Sequence, residues 1–201
     1  MTTRVRPRLR DLTSADAARI LDLTRATGVF RDEELLIAEE VFCDCVNHPG
    51  PTGGVGTDPL VRPTGSADPG AAADPLVRRS PVVMDRPYYA LGAELDGVLA
   101  GWICWGQTPC TDGTWDLYWM AVDPALHGSG VGTTLVDEME RRLLGRARLI
   151  AVDTSGRADY APTRAFYAAR GYQAVATVPD FYAPGDDQVI YTKVLPRTVS
   201  A

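Results

Sequence analysis

Val122-Asp123-Pro124-Ala125-Leu126-His127-Gly128-Ser129-Gly130-Val131-Gly132 joins the end of an apolar strand to the start of a helix through a loop with three alternating glycines. Glycine has no Cβ and takes up positive φ at no steric cost, so main chain here can come close to a ligand. The first N–H groups of the helix find no partner within it, and with the helix dipole they favour an anion such as a pyrophosphate. A GxGxG cluster also suits tight packing of a helix on a strand, so alone it leaves both readings open.

Working outward, residues 114–122 read Thr-Trp-Asp-Leu-Tyr-Trp-Met-Ala-Val, an aromatic and β-branched run that stops at Asp123-Pro124, and predict a strand. Period-2 alternation puts Asp116, Tyr118 and Met120 on one face and Leu117, Trp119 and Ala121 on the other. Further upstream, segments 88–95 and 98–105 flank Asp96-Gly97, the pair that suits a type I′ hairpin turn. Downstream, Leu135, Val136, Met139 and Leu143 form the inward stripe of a helix ending near Gly145, followed by a strand over 148–153. A helix over 162–170 opens with Pro162 and closes before Gly171. Strands over 172–178 and 188–195 follow, separated by the turn Pro184-Gly185-Asp186-Asp187.

At the other end, Thr13 and Asp16 form a helix cap ahead of Ala17, Ile20, Leu21 and Thr24, and that helix stops near Gly28. Leu35, Ala38, Phe42 and Cys45 mark the buried face of a second helix, with Glu33, Glu34, Glu39 and Glu40 outside. Residues 49–80 crowd Pro and Gly together without aromatics, and Asp58-Pro59-Leu60-Val61-Arg62 recurs as Asp74-Pro75-Leu76-Val77-Arg78. A flexible insertion is expected there, since such a stretch buries too little apolar surface to offset its ordering cost; a lid or docking loop is the functional alternative.

The 201 residues are 45% hydrophobic and 23% charged, as in a single globular domain spanning 1–201. Lys and Arg number 20 against 26 Asp and Glu, for a net charge of −6. That balance argues against nucleic acid as a partner. No apolar run reaches the ~18 to 20 residues of a membrane helix, and Arg4, Arg6, Arg8 and Arg10 lead into no apolar block, so a cytoplasmic protein with no membrane partner is expected. Cys43-x-Cys45-x-x-His48 sets three metal-ligating types together, but no second pair completes a tetrahedral site, so no metal is expected.

The glycine segment resembles the acetyl-CoA loop of the GNAT superfamily of N-acetyltransferases, which reads Val-x-Pro, then Gln or Arg-x-x-Gly-x-Gly or Ala. Val122, Pro124, Gly130 and Gly132 match it in spacing. Thr163-Arg164-Ala165-Phe166-Tyr167-Ala168-Ala169-Arg170-Gly171-Tyr172 is similar to the family's Phe-Tyr-x-x-x-Gly-Phe block, and the order of elements agrees over residues 5–195 outside the insertion. His127 replaces the usual Gln or Arg, and Tyr160 an Asn often found seven residues before the tyrosine.

The resemblance implies an α/β fold around a mixed, mostly antiparallel sheet flanked by helices. It implies acetyl-CoA as acetyl donor, held by Met120, Val122, His127, Gly128, Ser129, Gly130, Val131, Gly132, Thr133 and Tyr167. It gives Met120 N–H to the thioester oxygen and Tyr167 to the departing thiolate. Asp116, on the strand where many relatives carry a Glu, becomes the base or an exposed strand-edge carboxylate. Tyr167 is expected to share a helix face with Thr163 and Arg164 rather than with Phe166, about 100° away.

The acceptor is expected to be a small primary amine, an amino acid or an amine-bearing antibiotic, with a protein N-terminus or lysine as second choice. Asp116, Tyr118, Tyr182, Asp186 and Asp187 offer charge and cation–π contact to such a cation. The sequence does not set the oligomeric state, a homodimer being compatible with it. Two rivals stand beside this reading: a non-catalytic acetyl-CoA-binding relative, and a Rossmann-type NAD or S-adenosylmethionine enzyme with Asp153 as its ribose acid. The second has the wrong glycine spacing, GxGxG rather than GxGxxG.

Overall fold

A computed structural model describes residues 7–47 and 88–196. The expected insertion at 49–80 and the His48 position lie outside the described residues. The elements are β1 (Arg8–Arg10), α1 (Ala17–Ala26), α2 (Asp32–Asn47), β2 (Tyr89–Leu95), β3 (Val98–Gln107), β4 (Thr114–Val122), α3 (Val131–Leu143), β5 (Leu149–Ser155), α4 (Ala161–Ala169), β6 (Gln173–Ala183) and β7 (Asp186–Val194). One seven-stranded sheet orders them β1-β2-β3-β4-β5-β7-β6, and only the β4–β5 pairing is parallel. That single parallel pair in an antiparallel sheet is the architecture expected from the resemblance, and it is not a doubly wound parallel sheet.

Local chemistry accounts for the elements. Asp96 at φ +50° and Gly97 at φ +78° make the β2–β3 turn with both central residues left-handed. The Asp16 carboxylate accepts the Thr13 N–H at 2.8 Å and closes the capping box before α1. On α1 the buried positions are Ile20, Leu23 and Thr24; Leu21 is only half-buried, so the inward stripe sits on Leu23 instead. On α2 the buried set is the expected Leu35, Ala38, Phe42 and Cys45. The last hairpin turns more tightly than the sequence implied: Asp186 and Asp187 belong to β7, and Gly185, at φ +80°, sits in the turn.

Two apolar layers cover the sheet. On one face α3 and α4 pack Val131, Leu135, Met139 and Tyr167 onto Ile103, Trp105, Leu117, Ile150 and Val152. On the other, α1 and α2 pack Ile20, Leu23, Ala38 and Phe42 onto Leu99, Trp102, Cys104 and Ala121. The buried Trp102 indole donates to Thr24 Oγ1 at 3.1 Å, satisfying the one polar atom of that ring. Cys45 Sγ lies 3.6 Å from Cys104 Sγ across this second layer, so Cys45 belongs to the core. Among the described residues no helix is long and apolar enough to cross a membrane.

Candidate active site

The site begins where the sheet comes apart. β4 and β5 pair from Thr114↔Leu149 to Leu117↔Val152 and no further, while β4 stays on β3 through Val122 and β5 stays on β7 through Ser155. A gap therefore opens between β4 and β5. Asp123 N–H donates to Ala100 O on β3, so alternation along an antiparallel ladder turns the Met120 and Val122 N–H groups to the other edge, toward the gap.

A β-bulge marks the start of this divergence. Opposite Cys104 and Trp105 the register jumps from Trp119 to Leu117, so Tyr118 is the extra residue. The extra residue reverses the side-chain phase. Trp115 and Leu117 pack on the α3–α4 face, and beyond the bulge that face is taken by Met120 and Val122, while Trp119 and Ala121 pack on the α1–α2 face. Asp116 and Met120 therefore lie on opposite faces. The period-2 reading that put them together fails because alternation holds only within an unbulged strand.

On the α3–α4 side the glycine loop leads from Val122 into α3. Asp123 fixes it by accepting the Ala125 N–H at 3.0 Å and the Arg19 guanidinium at 2.9 Å. Gly128 (φ +80°) and Gly130 (φ +95°) sit in the left-handed region with open space where a Cβ would stand. The first helical bond is Thr134 N–H to Gly130 O. Among the described residues the N–H groups of Gly128, Gly130, Val131, Gly132 and Thr133 have no backbone acceptor. Ser129 Oγ is buried beside them without a partner. Arg170 completes this corner, donating to Thr133 Oγ1 at 3.0 Å, pairing with Asp137 and lying over the Phe166 ring. This donor set fits a pyrophosphate. His127, just ahead of these glycines, is exposed.

Tyr167 lies on the same face. It is 3% exposed, with its ring 5.4 Å from Phe166, 5.5 Å from Tyr172 and 6.5 Å from Tyr191. The expectation that it would turn away from Phe166 is corrected: both rings join one apolar cluster, since residues adjacent on a helix converge when each aromatic ring is large enough to span the 100° between them. No described residue hydrogen-bonds its hydroxyl. Burial pushes the phenol well above its ordinary range, so it keeps its proton at any physiological pH.

The opposite face of the gap holds a cavity of about 280 Å³. Asp116, Tyr118 and Trp119 of β4, Ala151, Asp153 and Ser155 of β5, Tyr182 and Asp186 of the last hairpin, Phe30 and Arg31 from the α1–α2 connection, Glu34 from the first turn of α2, and Arg157 and Tyr160 line it. Asp116 accepts from Thr108 Oγ1 at 2.6 Å and Tyr118 OH at 3.4 Å. Burial and the Asp116 charge push the Tyr118 phenol up. Tyr182 is pushed up to about 12 by burial and by Asp153. Asp186 is tied to Ser155 Oγ at 2.5 Å and Arg157 at 3.2 Å. Asp187 is not among the lining residues; its carboxylate accepts the Asp180 N–H at 2.9 Å and braces the hairpin.

Sequence reasoning missed Asp153, Glu34, Arg31, Phe30 and Arg157 as cavity residues. Asp153 had a signal available, because alternation along β5 aligns it with Ala151, the register partner of Asp116. The others come from loops and from the first turn of α2, whose docking no local pattern encodes.

Comparison with known proteins matches residues 63–172 to the model of the Acetyltransferase (GNAT) family. No curated protein matches the chain at a significant level. Among solved structures, a GNAT-family protein from Desulfovibrio desulfuricans described as an acetyltransferase is 30% identical, with 94% of this chain and 98% of that one covered and a TM-score of 0.71. An aminoglycoside 6'-N-acetyltransferase complexed with coenzyme A is similar in fold at 16% identity, with 94% and 98% covered and a TM-score of 0.61. The ribosomal-protein-S18-alanine N-acetyltransferase from Escherichia coli is similar in fold at 14% identity, with 97% and 99% covered and a TM-score of 0.61.

Proposed function

The chain belongs to the GNAT family of acetyltransferases, and from that premise we propose that it transfers an acetyl group from acetyl-CoA to a primary amine of a small molecule, in one complex holding both. The observation that carries this reading is the gap between β4 and β5. It separates a cradle of unpaired amides on the α3–α4 face from an acidic, aromatic cavity on the α1–α2 face, and it joins the two. The cavity volume sits at the small end of small-molecule sites, which run from about 300 Å³ upward, and favours a small acceptor over a folded protein.

In this reading the amides from Gly128 to Thr133, with Ser129 Oγ, hold the coenzyme's pyrophosphate. Acetyl-CoA, when bound, supplies an acyl thioester open to attack by an unprotonated amine. Met120 N–H, fixed by the β3 pairing and aimed at the gap, donates to the thioester oxygen; one preorganised donor of this kind contributes about 3 to 4 kcal/mol in enzymes where it has been removed. The Val122 main chain aligns the pantetheine arm. Asp116 takes the amine's proton, directly or through water, and Tyr167 gives a proton to the leaving sulfur. A single domain spanning the chain and a cytoplasmic setting belong to the same proposal; both suit a protein that uses acetyl-CoA and whose four cysteines are unpaired.

Calorimetry with acetyl-CoA and thiol release with an amine panel test it: binding together with amine-dependent thiol release is expected, and absence of either refutes the reading. Asp116→Asn is expected to lower turnover about a hundredfold while leaving acetyl-CoA binding by calorimetry unchanged. Unchanged turnover would reject Asp116 as the base.

A further inference from the structure

The cavity's charges do not cancel. Glu34 pairs with Arg31 at 3.3 Å and Asp186 with Arg157 at 3.2 Å, so both cations lining the cavity are engaged. Asp116 and Asp153 have no cationic partner among the described residues: Asp116 accepts from the neutral Thr108 and Tyr118 hydroxyls, and Asp153 from the Gln188 amide at 2.8 Å. They stand on adjacent strands, since Asp116 is opposite Ala151 and Asp153 is two residues further along the same face. Burial, and secondarily the Asp116 charge, raise the Asp153 carboxyl above its ordinary range, while the Gln188 bond opposes that rise. Both face one cleft, open to solvent on one side, whose walls include Phe30, Trp119, Tyr160 and Tyr182; Asp116 is half-buried there and Asp153 exposed.

A single amine answers only one of these carboxylates. It arrives as an ammonium, gives its proton up to react, and leaves the other carboxylate facing the cleft with no cation opposite it. A carboxylate on the acceptor makes the balance worse, because Arg31 and Arg157 are already spent. A second ammonium resolves it, with the aromatic walls adding cation–π contact.

We propose that the acceptor carries two amino groups held apart by an apolar spacer, and that Asp153 is the specificity-determining residue that holds the non-reacting ammonium while Asp116 faces the reacting amine. The proposal rests on the acetyltransferase reading for its reaction, but not for its binding step.

Three acceptors of one chain length test it: 1,5-diaminopentane, 1-aminopentane and 5-aminopentanoate differ only at the far end. Calorimetry on the full chain without coenzyme is expected to rank them in that order, with the diamine at least about tenfold tighter than the monoamine, the effect of one charge-assisted contact. Asp153→Asn should bring the diamine-to-monoamine ratio close to one, in binding and in kcat/KM alike. A wild-type chain that binds the monoamine or the amino acid as well as the diamine overturns the proposal. So does an Asp153→Asn variant that weakens all three in equal proportion. Diamine binding with no acetyl-CoA binding counts against the transferase reading alone, so the two failures are distinguishable.

Discussion

Tyr167 combines a packed ring with an unengaged hydroxyl. Its ring fills the α3–α4 layer against Phe166, Tyr172 and Tyr191, yet its hydroxyl has no protein partner among the described residues. A hydroxyl that makes no hydrogen bond within the protein adds little to the fold, so removing it should cost the fold nothing. Tyr167→Phe is therefore expected to melt at or slightly above the parent temperature and to bind acetyl-CoA unchanged by calorimetry. Its turnover should fall about a hundredfold in a thiol-release assay if the phenol is the proton donor. The positions of the glycine loop and of Tyr167 in the candidate site were legible at this scale, because glycine spacing after a strand and a Phe-Tyr pair on a helix are local signals. The acceptor side was less so. Asp116 could be picked out on its strand, whereas Arg31, Glu34 and Arg157 reach the cavity only through tertiary docking.

At the level of elements, β3, β4 and α3 depend on one close approach. A Cβ on Gly101 would stand 2.9 Å from Ala121 O and 2.9 Å from Val131 Cγ1, and Val131 opens the helix whose amides form the cradle. Gly101→Ala must push α3 outward or part β3 from β4. A loss of about 1 to 3 kcal/mol in urea denaturation is expected, together with weaker acetyl-CoA binding, although residue 101 touches no substrate. Strand and helix positions were readable from periodicity, and β4 was expected over the same residues it occupies. Its phase was not readable, because the bulge at Tyr118 is a property of the pairing with β3 and leaves no mark on the strand's own composition.

Across the whole molecule, charge ties the first strand to its neighbours. Arg10 pairs with Asp16 at 2.7 Å and with Glu94 at 2.5 Å, linking β1, α1 and β2. The Arg10 guanidinium holds the Asp16 carboxyl down at about 2, and Arg141, with Arg142, does the same for Glu138. A folded-state value below the unfolded one stabilises above the ordinary carboxylate range, and this stabilisation is lost as pH falls toward the folded value. Stability should accordingly decline between about pH 4.5 and 2. Asp16→Asn should flatten part of that decline and cost about 1 to 2 kcal/mol at neutral pH, as read by thermal melts across the range. The architecture was legible at this scale through the family resemblance, which the two motifs and the order of elements carried. The strand whose phase reverses midway has a longer-term consequence. Side chains on the cavity face of that strand can drift to suit a new occupant while the main chain beyond Tyr118 keeps its aim at the gap, so such a lineage could change diet without relearning how to hold its donor.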